Sequence, residues 1–364
     1  MTKVILISQF PLPYNKIGSW TTLYQNYLLQ DSQIDVVVCP KPHYLFHKVI
    51  YSYVSQTLLA KYKNKLLRNN HQNFINALSK KLNENDKYII QVVDNYGLIN
   101  ALNSFLIKKN IRKNCYIQYF YHGFSPIIKN PKEKTFFSKF DEMVFLTALA
   151  KENFFRYYEN FEVKTAVLNN GIDSNNFKKL DTNSRLEQRK KINISDKIIF
   201  TWCSRDTPQK GLSLLLKAWQ ELIKKYSNIE LWIIGSEEKY THKGVVNIGK
   251  VQNDKLPYYF QLSNCYIFPT QCEEGFGMSL IEALHCGNYC IASSVGGVPE
   301  VLQKGKFGKL IENFSDSESW RIEMEKFIKN QSYKTNFSFD LYTSTEWNKQ
   351  MNTIIYNAKN KFNE

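Results

Sequence analysis

At 364 residues the chain exceeds what one hydrophobic core usually serves, so two domains of ordinary size are expected. Hydrophobic residues make up 43% and aromatics 15%, which excludes a disordered chain. The net charge of +15 is unevenly spread: residues 1–180 hold 24 Lys/Arg against 12 Asp/Glu, and the remainder holds 24 against 21, so the first half is the part that should face something anionic.

The apolar run Val4-Ile5-Leu6-Ile7 is followed by Pro11, Pro13 and Asn15, not by a small-residue cleavage site, and reads as a first strand instead of a signal peptide. Nowhere do eighteen consecutive residues stay apolar, so no bilayer-spanning helix is expected. The seven cysteines are odd in number, lack a CxxC pair and mostly border apolar runs, which points to buried thiols in a reducing compartment. A cytoplasmic protein is the expectation.

Between Asp35 and Glu84 there is no acidic residue. Ile50, Val54, Leu58, Tyr62 and Leu66 recur every fourth residue as an apolar helical stripe, with Lys61, Lys65 and Arg68 as a separate basic row. Tyr44, Phe46, Tyr51 and Tyr53 lie just upstream. Residues 41–81 are therefore a candidate peripheral contact with an anionic membrane, through Lys41, Lys48, Lys61, Lys63, Lys65, Arg68, Lys80 and Lys81. The ordinary alternative is a core-facing helix with a solvated lysine face.

Strand-like runs alternate with helix-like ones in two series. The first comprises Val4–Gln9, Ile34–Cys39, Tyr88–Val93, Tyr116–Tyr121, Met143–Thr147 and Thr165–Leu168; the second comprises Lys197–Trp202, Ile229–Ile234, Val245–Ile248, Cys265–Phe268 and Tyr289–Ala292. This order predicts an α/β protein of mostly parallel sheets with helices on both faces. The polar turn-rich run marks a boundary near Asn170–Asn176, giving a domain over 1–172, a second over 173–345 and a last helix within 346–364.

Of 15 glycines, only Gly18, Gly97, Gly123 and Gly171 precede residue 210, so the second half is better equipped for close backbone approach to a ligand. The segment Phe268-Pro-Thr-Gln-Cys-Glu-Glu-Gly-Phe-Gly-Met-Ser-Leu-Ile-Glu-Ala-Leu-His-Cys-Gly287 reads as a strand end, a loop, and a helix from about Met278 to His285 stopped by Gly287. Its loop offers free amides at a helix N-terminus, where the dipole favours phosphate. Glu274 precedes the helix and Glu282 lies one turn into it.

Glu274-Gly-Phe-Gly-Met-Ser-Leu-Ile-Glu282-Ala283, with Gly296-Gly297-Val298-Pro299-Glu300 beyond it, resembles the signature of the retaining glycosyltransferases of family 4. The resemblance is strong after about residue 165 and weak before. It implies the GT-B fold: two Rossmann-like doubly wound domains facing a central cleft, with a C-terminal helix crossing back to the first. The domain over 1–172 would then bind the acceptor and that over 173–345 the nucleotide sugar.

Residue by residue, Ser204-Arg205-Asp-Thr-Pro-Gln-Lys210-Gly211 is similar to the family's strand-to-helix turn, in which Arg205 and Lys210 hold the donor diphosphate. Fixed cations of this kind stabilise the charge that grows on the leaving group without a metal ion. Gly275, Phe276, Gly277, Met278 and Ser279 would line the phosphates, Glu274 the sugar hydroxyls and Glu282 the ribose. Lys250 and Val251 resemble the region that meets the base through backbone groups. Gly18-Ser19 stands where the family has a glycine pair, with serine in the second place. His122, ending Tyr119-Phe-Tyr-His-Gly, resembles the histidine that faces the donor sugar, and a strand's carboxyl end is where ligands bind such sheets.

The function implied is retaining, metal-independent transfer, of hexosyltransferase type, from a nucleoside-diphosphate sugar to a glycan or glycolipid hydroxyl, in bacterial cell-surface polysaccharide or lipopolysaccharide synthesis. No cofactor is expected beyond this co-substrate. A sugar-nucleotide epimerase of the same fold and a non-catalytic binding subunit are the alternatives. Nucleic-acid binding from the +15 charge is a third alternative, although no nucleic-acid partner is expected.

Overall fold

The computed structural model describes residues 2–14, 19–30, 32–55, 71–159, 161–330 and 337–362. The chain divides into two compact units, residues 1–171 with 344–364, and residues 172–343.

The first unit runs β1 (Thr2–Ile7), α1 (Ser19–Leu29), β2 (Val36–Cys39), β3 (Ile50–Tyr53), α2 (Gln72–Ser79), β4 (Lys87–Val93), α3 (Tyr96–Lys108), β5 (Cys115–Tyr121), β6 (Glu142–Phe145), α4 (Ala148–Tyr157) and β7 (Lys164–Val167). Its strands form one parallel sheet in the order 3-2-1-4-5-6-7. Alternate residues of β1 enter different cores, Ile5 and Ile7 on one side and Val4 and Leu6 on the other. A parallel strand covered on both faces needs such an unbroken apolar run.

The second unit runs α5 (Thr182–Lys191), β8 (Ile198–Cys203), α6 (Leu212–Lys225), β9 (Ile229–Ile234), β10 (Val245–Gly249), α7 (Leu256–Leu262), β11 (Cys265–Phe268), α8 (Met278–His285), β12 (Tyr289–Ser293), α9 (Val298–Val301), β13 (Gly308–Ile311) and α10 (Ser317–Lys329). Its parallel sheet has the order 10-9-8-11-12-13, the 3-2-1-4-5-6 order of a doubly wound nucleotide-binding domain.

The chain then returns to the first unit as α11 (Ser344–Asn360). Trp347, Met351, Ile354, Ile355 and Ala358 fall on one face of this helix and join the core over Val4, Leu6 and Ile89. Each large side chain buried there contributes about 2 kcal/mol.

Two strands differ from the sequence reading. Ile50–Tyr53, taken as the start of a helical stripe, is edge strand β3, decided by its parallel pairing with β2 from Val36↔Ile50 to Cys39↔Tyr53. Gly308–Ile311, too short to stand out by pattern, becomes β13 by pairing with β12 from Cys290↔Gly308 to Ser293↔Ile311. Leu58, Tyr62 and Leu66 of the stripe, and Lys61, Lys63, Lys65 and Arg68 of the basic row, lie outside the described residues.

The second unit is stapled at its start by Arg189, which is 2% exposed. Its guanidinium donates to the carbonyls of Leu262, Ile194 and Lys197 and to Asn264 Oδ1, joining α5 to the turns beneath β8 and after α7. Arg189→Leu removes these four hydrogen bonds of a buried guanidinium at once, and urea unfolding should show a loss of about 3 kcal/mol.

Candidate functional site

The order of the second sheet reverses between β8 and β11, and ligands bind doubly wound sheets at the carboxyl ends of the strands flanking such a switch point. Two loops leave the sheet there, Ser204–Gly211 after β8 and Pro269–Gly277 after β11. Gly211 has φ +70°, and a Cβ on it would stand 1.8 Å from the Pro269 carbonyl oxygen. Gln271 N–H donates to the Gln209 carbonyl at 2.7 Å, and the Trp202 indole, from within the core, donates to the Lys210 carbonyl at 3.1 Å. The two loops are thus held together by main-chain contacts.

Lys210 Nζ consequently pairs with Glu274 Oε1, both side chains about four-fifths buried. Thr270 Oγ1 donates to the same carboxylate oxygen at 3.3 Å. The backbone of Glu274 is gripped in turn: Gly297 N–H donates to its carbonyl at 2.8 Å, and a Cβ on Gly296 would lie 2.4 Å from that oxygen.

Gly277, at φ +89°, opens α8, whose first amides, Met278 and Ser279, have no acceptor within the helix. Gly275 is buried, and the ring of buried Phe276 packs edge-on against Tyr342 at 5.3 Å, so Phe276 can offer a ligand only its main chain. The Ser279 hydroxyl lies 2.7 Å from that of Tyr266, which also bonds the Cys203 carbonyl at 3.1 Å. Ser204 N–H is taken up by the Ile234 carbonyl at 3.1 Å.

Glu282 is 7% exposed, and its carboxyl accepts a long hydrogen bond from Asn253 Nδ2, at 3.4 Å. Desolvation pushes its pKa up to about 7, with the Asn253 contact opposing it weakly. A carboxyl this poorly served is suited to accept hydrogen bonds from ligand hydroxyls. Arg205 is exposed, and its guanidinium has no ion pair or hydrogen bond among the described residues. Lys250 is set apart from this group: its ammonium pairs with Glu237 on the open surface, and Val251 beside it is half-exposed.

In the first unit His122 follows β5, and its backbone N–H donates to Asp94 Oδ1 at 3.2 Å. Its ring lies 6.2 Å from that of Trp20 and lines a pocket with Tyr24, Phe120, Leu146 and Asn170. Desolvation lowers its pKa, and Asp94 acts in the opposite direction. The imidazole is therefore neutral near pH 7. Asp94, left-handed at φ 51°, was not singled out by sequence, although a carboxylate closing β4 at the switch point of the first sheet is its signal. Gly18 lies outside the described residues, and Ser19 begins α1. Sequence reasoning also missed Thr270 and Asn253. Thr270 sits in the Phe-Pro-Thr run before the motif, and Asn253 carries no local signal.

Known proteins bear out this architecture. The sucrose-phosphate synthase of Thermosynechococcus elongatus superposes with a TM-score of 0.73 at 14% identity, over 98% of this chain and 99% of that one. Anabaena Alr3699/HepE in complex with UDP does so with 0.73 at 14%, over 98% and 100%. Together these define the class by fold: a GT-B protein. Residues 184–341 match the family Glycosyl transferases group 1. The chain is also 27% identical over 162 residues to the lipopolysaccharide 1,2-N-acetylglucosaminetransferase of Salmonella typhimurium, covering 39% of this chain and 42% of that protein. It is 28% identical over 201 residues to the capsular polysaccharide biosynthesis glycosyltransferase CapM of Staphylococcus aureus, covering 51% and 49%. The chain spans about half or less of the length of these curated relatives.

The burial of Glu282 gives a pH test. An unfolded glutamate ionises near 4.5 and the folded one near 7, so the folded state binds the extra proton between those values. Stability from this group is complete below pH 4.5, falls as pH rises to 7, and is flat above. Glu282→Gln should exceed the wild type by about 3 kcal/mol at pH 8 and match it near pH 4.5, read by urea unfolding at both pH values.

Proposed function

We propose that the protein is a retaining glycosyltransferase of family 4, moving a sugar from a nucleoside-diphosphate donor to a hydroxyl of a glycan or glycolipid in cell-surface polysaccharide or lipopolysaccharide synthesis. The observation that carries this reading is the meeting of Lys210 with Glu274 at the switch point, beside the open N-terminus of α8. A cation and a helix end suit a diphosphate, and an adjacent carboxylate suits the hydroxyls of the sugar it bears. The HepE structures with UDP and UDP-glucose, and the relatives named for transfer of N-acetylglucosamine or mannose, support a nucleotide-sugar donor.

In this mechanism the bond from the anomeric carbon to the diphosphate oxygen breaks while the acceptor oxygen bonds to that carbon from the same face. A phosphate oxygen takes the acceptor's proton. Arg205, Lys210 and the Gly277–Ser279 amides hold the growing negative charge, so the reaction needs no metal ion and proceeds in EDTA. Glu274 orients the sugar hydroxyls, Glu282 receives the ribose hydroxyls, and neutral His122 hydrogen-bonds the sugar. The intact cationic pair favours transfer over epimerisation. A thermal-shift panel of UDP-, GDP- and ADP-sugars identifies the donor, since a ligand of the native state raises its stability. With that donor, Lys210→Ala and Glu274→Ala should each lower turnover about a hundredfold, on the order of 3 kcal/mol, with circular dichroism unchanged. Near-normal turnover by either variant would overturn the assignment.

The first unit is the candidate membrane contact. Tyr44, Leu45, Ile50 and Tyr53 are exposed at and before edge strand β3, on the stretch that holds Lys41 and Lys48 and no acid. No helix among the described residues is long and apolar enough to cross a membrane. Each basic residue near an anionic surface contributes about 1 kcal/mol, which suffices for reversible attachment. Vesicle sedimentation should show binding that requires anionic lipid, weakens in high salt, and falls when Lys61, Lys63, Lys65 and Arg68 become glutamine. Equal binding to neutral vesicles would exclude this surface.

A further inference from the structure

Beside the switch point, at the open end of β8, β9 and β10, one carboxylate gathers two hydroxyl groups. Asp206 Oδ2 accepts from Ser236 Oγ at 2.6 Å and from the Tyr240 hydroxyl at 2.5 Å. Asp206 itself is exposed, whereas Ser236 is 3% exposed and Tyr240 is half-buried against the core under β9. The donors are anchored firmly. Tyr240 N–H donates to Asn247 Oδ1 at 2.9 Å and its carbonyl accepts from Asn247 Nδ2 at 2.8 Å, which ties the tyrosine to β10. Ser236 follows Gly235, where a Cβ would stand 2.1 Å from the Ser204 carbonyl, so the loops after β8 and β9 are in contact.

The neighbour of Asp206 is Arg205, whose guanidinium has no partner among the described residues. A carboxylate one residue from an exposed guanidinium is an ordinary surface competitor for it. An oxygen already accepting two hydrogen bonds competes less well, because part of its charge is taken up by fixed donors. Burial, and after it the hydrogen bond to Asp206, raises the Tyr240 pKa to about 12, so the hydroxyl keeps its proton at neutral pH.

We propose that Tyr240 is a positioning residue for the donor diphosphate: by occupying the Asp206 carboxylate it keeps Arg205 unpaired and available. This rests on the transfer reading given above. Tyr240 touches no reacting atom and acts through Asp206, which sets it apart from Arg205 and Lys210.

The test reads UDP and GDP binding by titration calorimetry, and donor KM and kcat with the sugar nucleotide that the wild type uses. Tyr240→Phe, which keeps the ring and its packing, should weaken nucleoside-diphosphate binding about tenfold and raise donor KM similarly, with Tm unchanged. Adding Asp206→Asn to Tyr240→Phe removes the competing charge and should restore binding to within about twofold of the wild type. In an Arg205→Ala background, Tyr240→Phe should have no further effect. A merely structural Tyr240 would give a double variant with Asp206→Asn as weak as, or weaker than, the single one, and that result overturns the inference. So does a Tyr240→Phe protein that binds as the wild type does. If the wild type binds neither UDP nor GDP and uses no sugar nucleotide, the transfer reading itself fails and takes the inference with it.

Discussion

The Pro269 carbonyl and Gly211 approach so closely that no side chain fits at residue 211. This contact joins the first turn after β8 to the first turn after β11, the two strands at which the sheet reverses direction. Everything chemically interesting in the second unit depends on it. Lys210 adjoins the glycine and Glu274 belongs to the other loop, so their ion pair follows from main-chain proximity and not from side-chain reach. The second glycine contact, Gly296 against the Glu274 backbone, locks the opposite side of the same loop. Two α-carbons without side chains thus let the loops that carry Lys210 and Glu274 approach each other and the Gly296 turn.

The two glutamates of the motif end in contrasting surroundings. Glu274 has an ammonium and a threonine hydroxyl beside it, whereas Glu282 is buried with one long amide contact and a raised pKa. Burial with so few partners disfavours the ionised carboxylate, which is what raises its pKa. The same contrast separates the cations. Lys210 is held from below, Arg205 is left open, and Lys250 is spent on a solvent-exposed pair of little energetic weight.

Each unit is closed by a different device. In the first, α11 arrives from the far end of the chain and lays Trp347 and Met351 over the sheet, with Tyr27 donating to Asn352 from the helix it meets. In the second, Arg189 donates to carbonyls of the turn before β8 and of the turn after α7. The first device joins the two ends of the chain, whereas Arg189 reaches carbonyls 5, 8 and 73 residues away.

Strand spacing, the apolar runs of parallel strands and the glycine-framed glutamate motif were legible in the residues alone, because each is a local pattern: a period, a turn residue, a short fixed interval. Val4–Ile7, Cys265–Phe268 and the helix Met278–His285 are of this kind. Tertiary structure decided what depends on register. Gln91, Gln118 and Glu142 sit in apolar strands with no local reason to be polar, yet pairing brings Gln91 opposite Gln118 and Gln118 opposite Glu142, so that they bond across the sheet at 3.0 and 2.7 Å. Ile50–Tyr53 reads equally as helix or strand over four residues, and the edge of β2 settles it. The hydroxyls gathered by Asp206 come from 30 and 34 residues away. A period can be read along a chain, but a partner across a sheet is chosen by the fold, since the hydrogen bond that selects it exists only once both strands are in place.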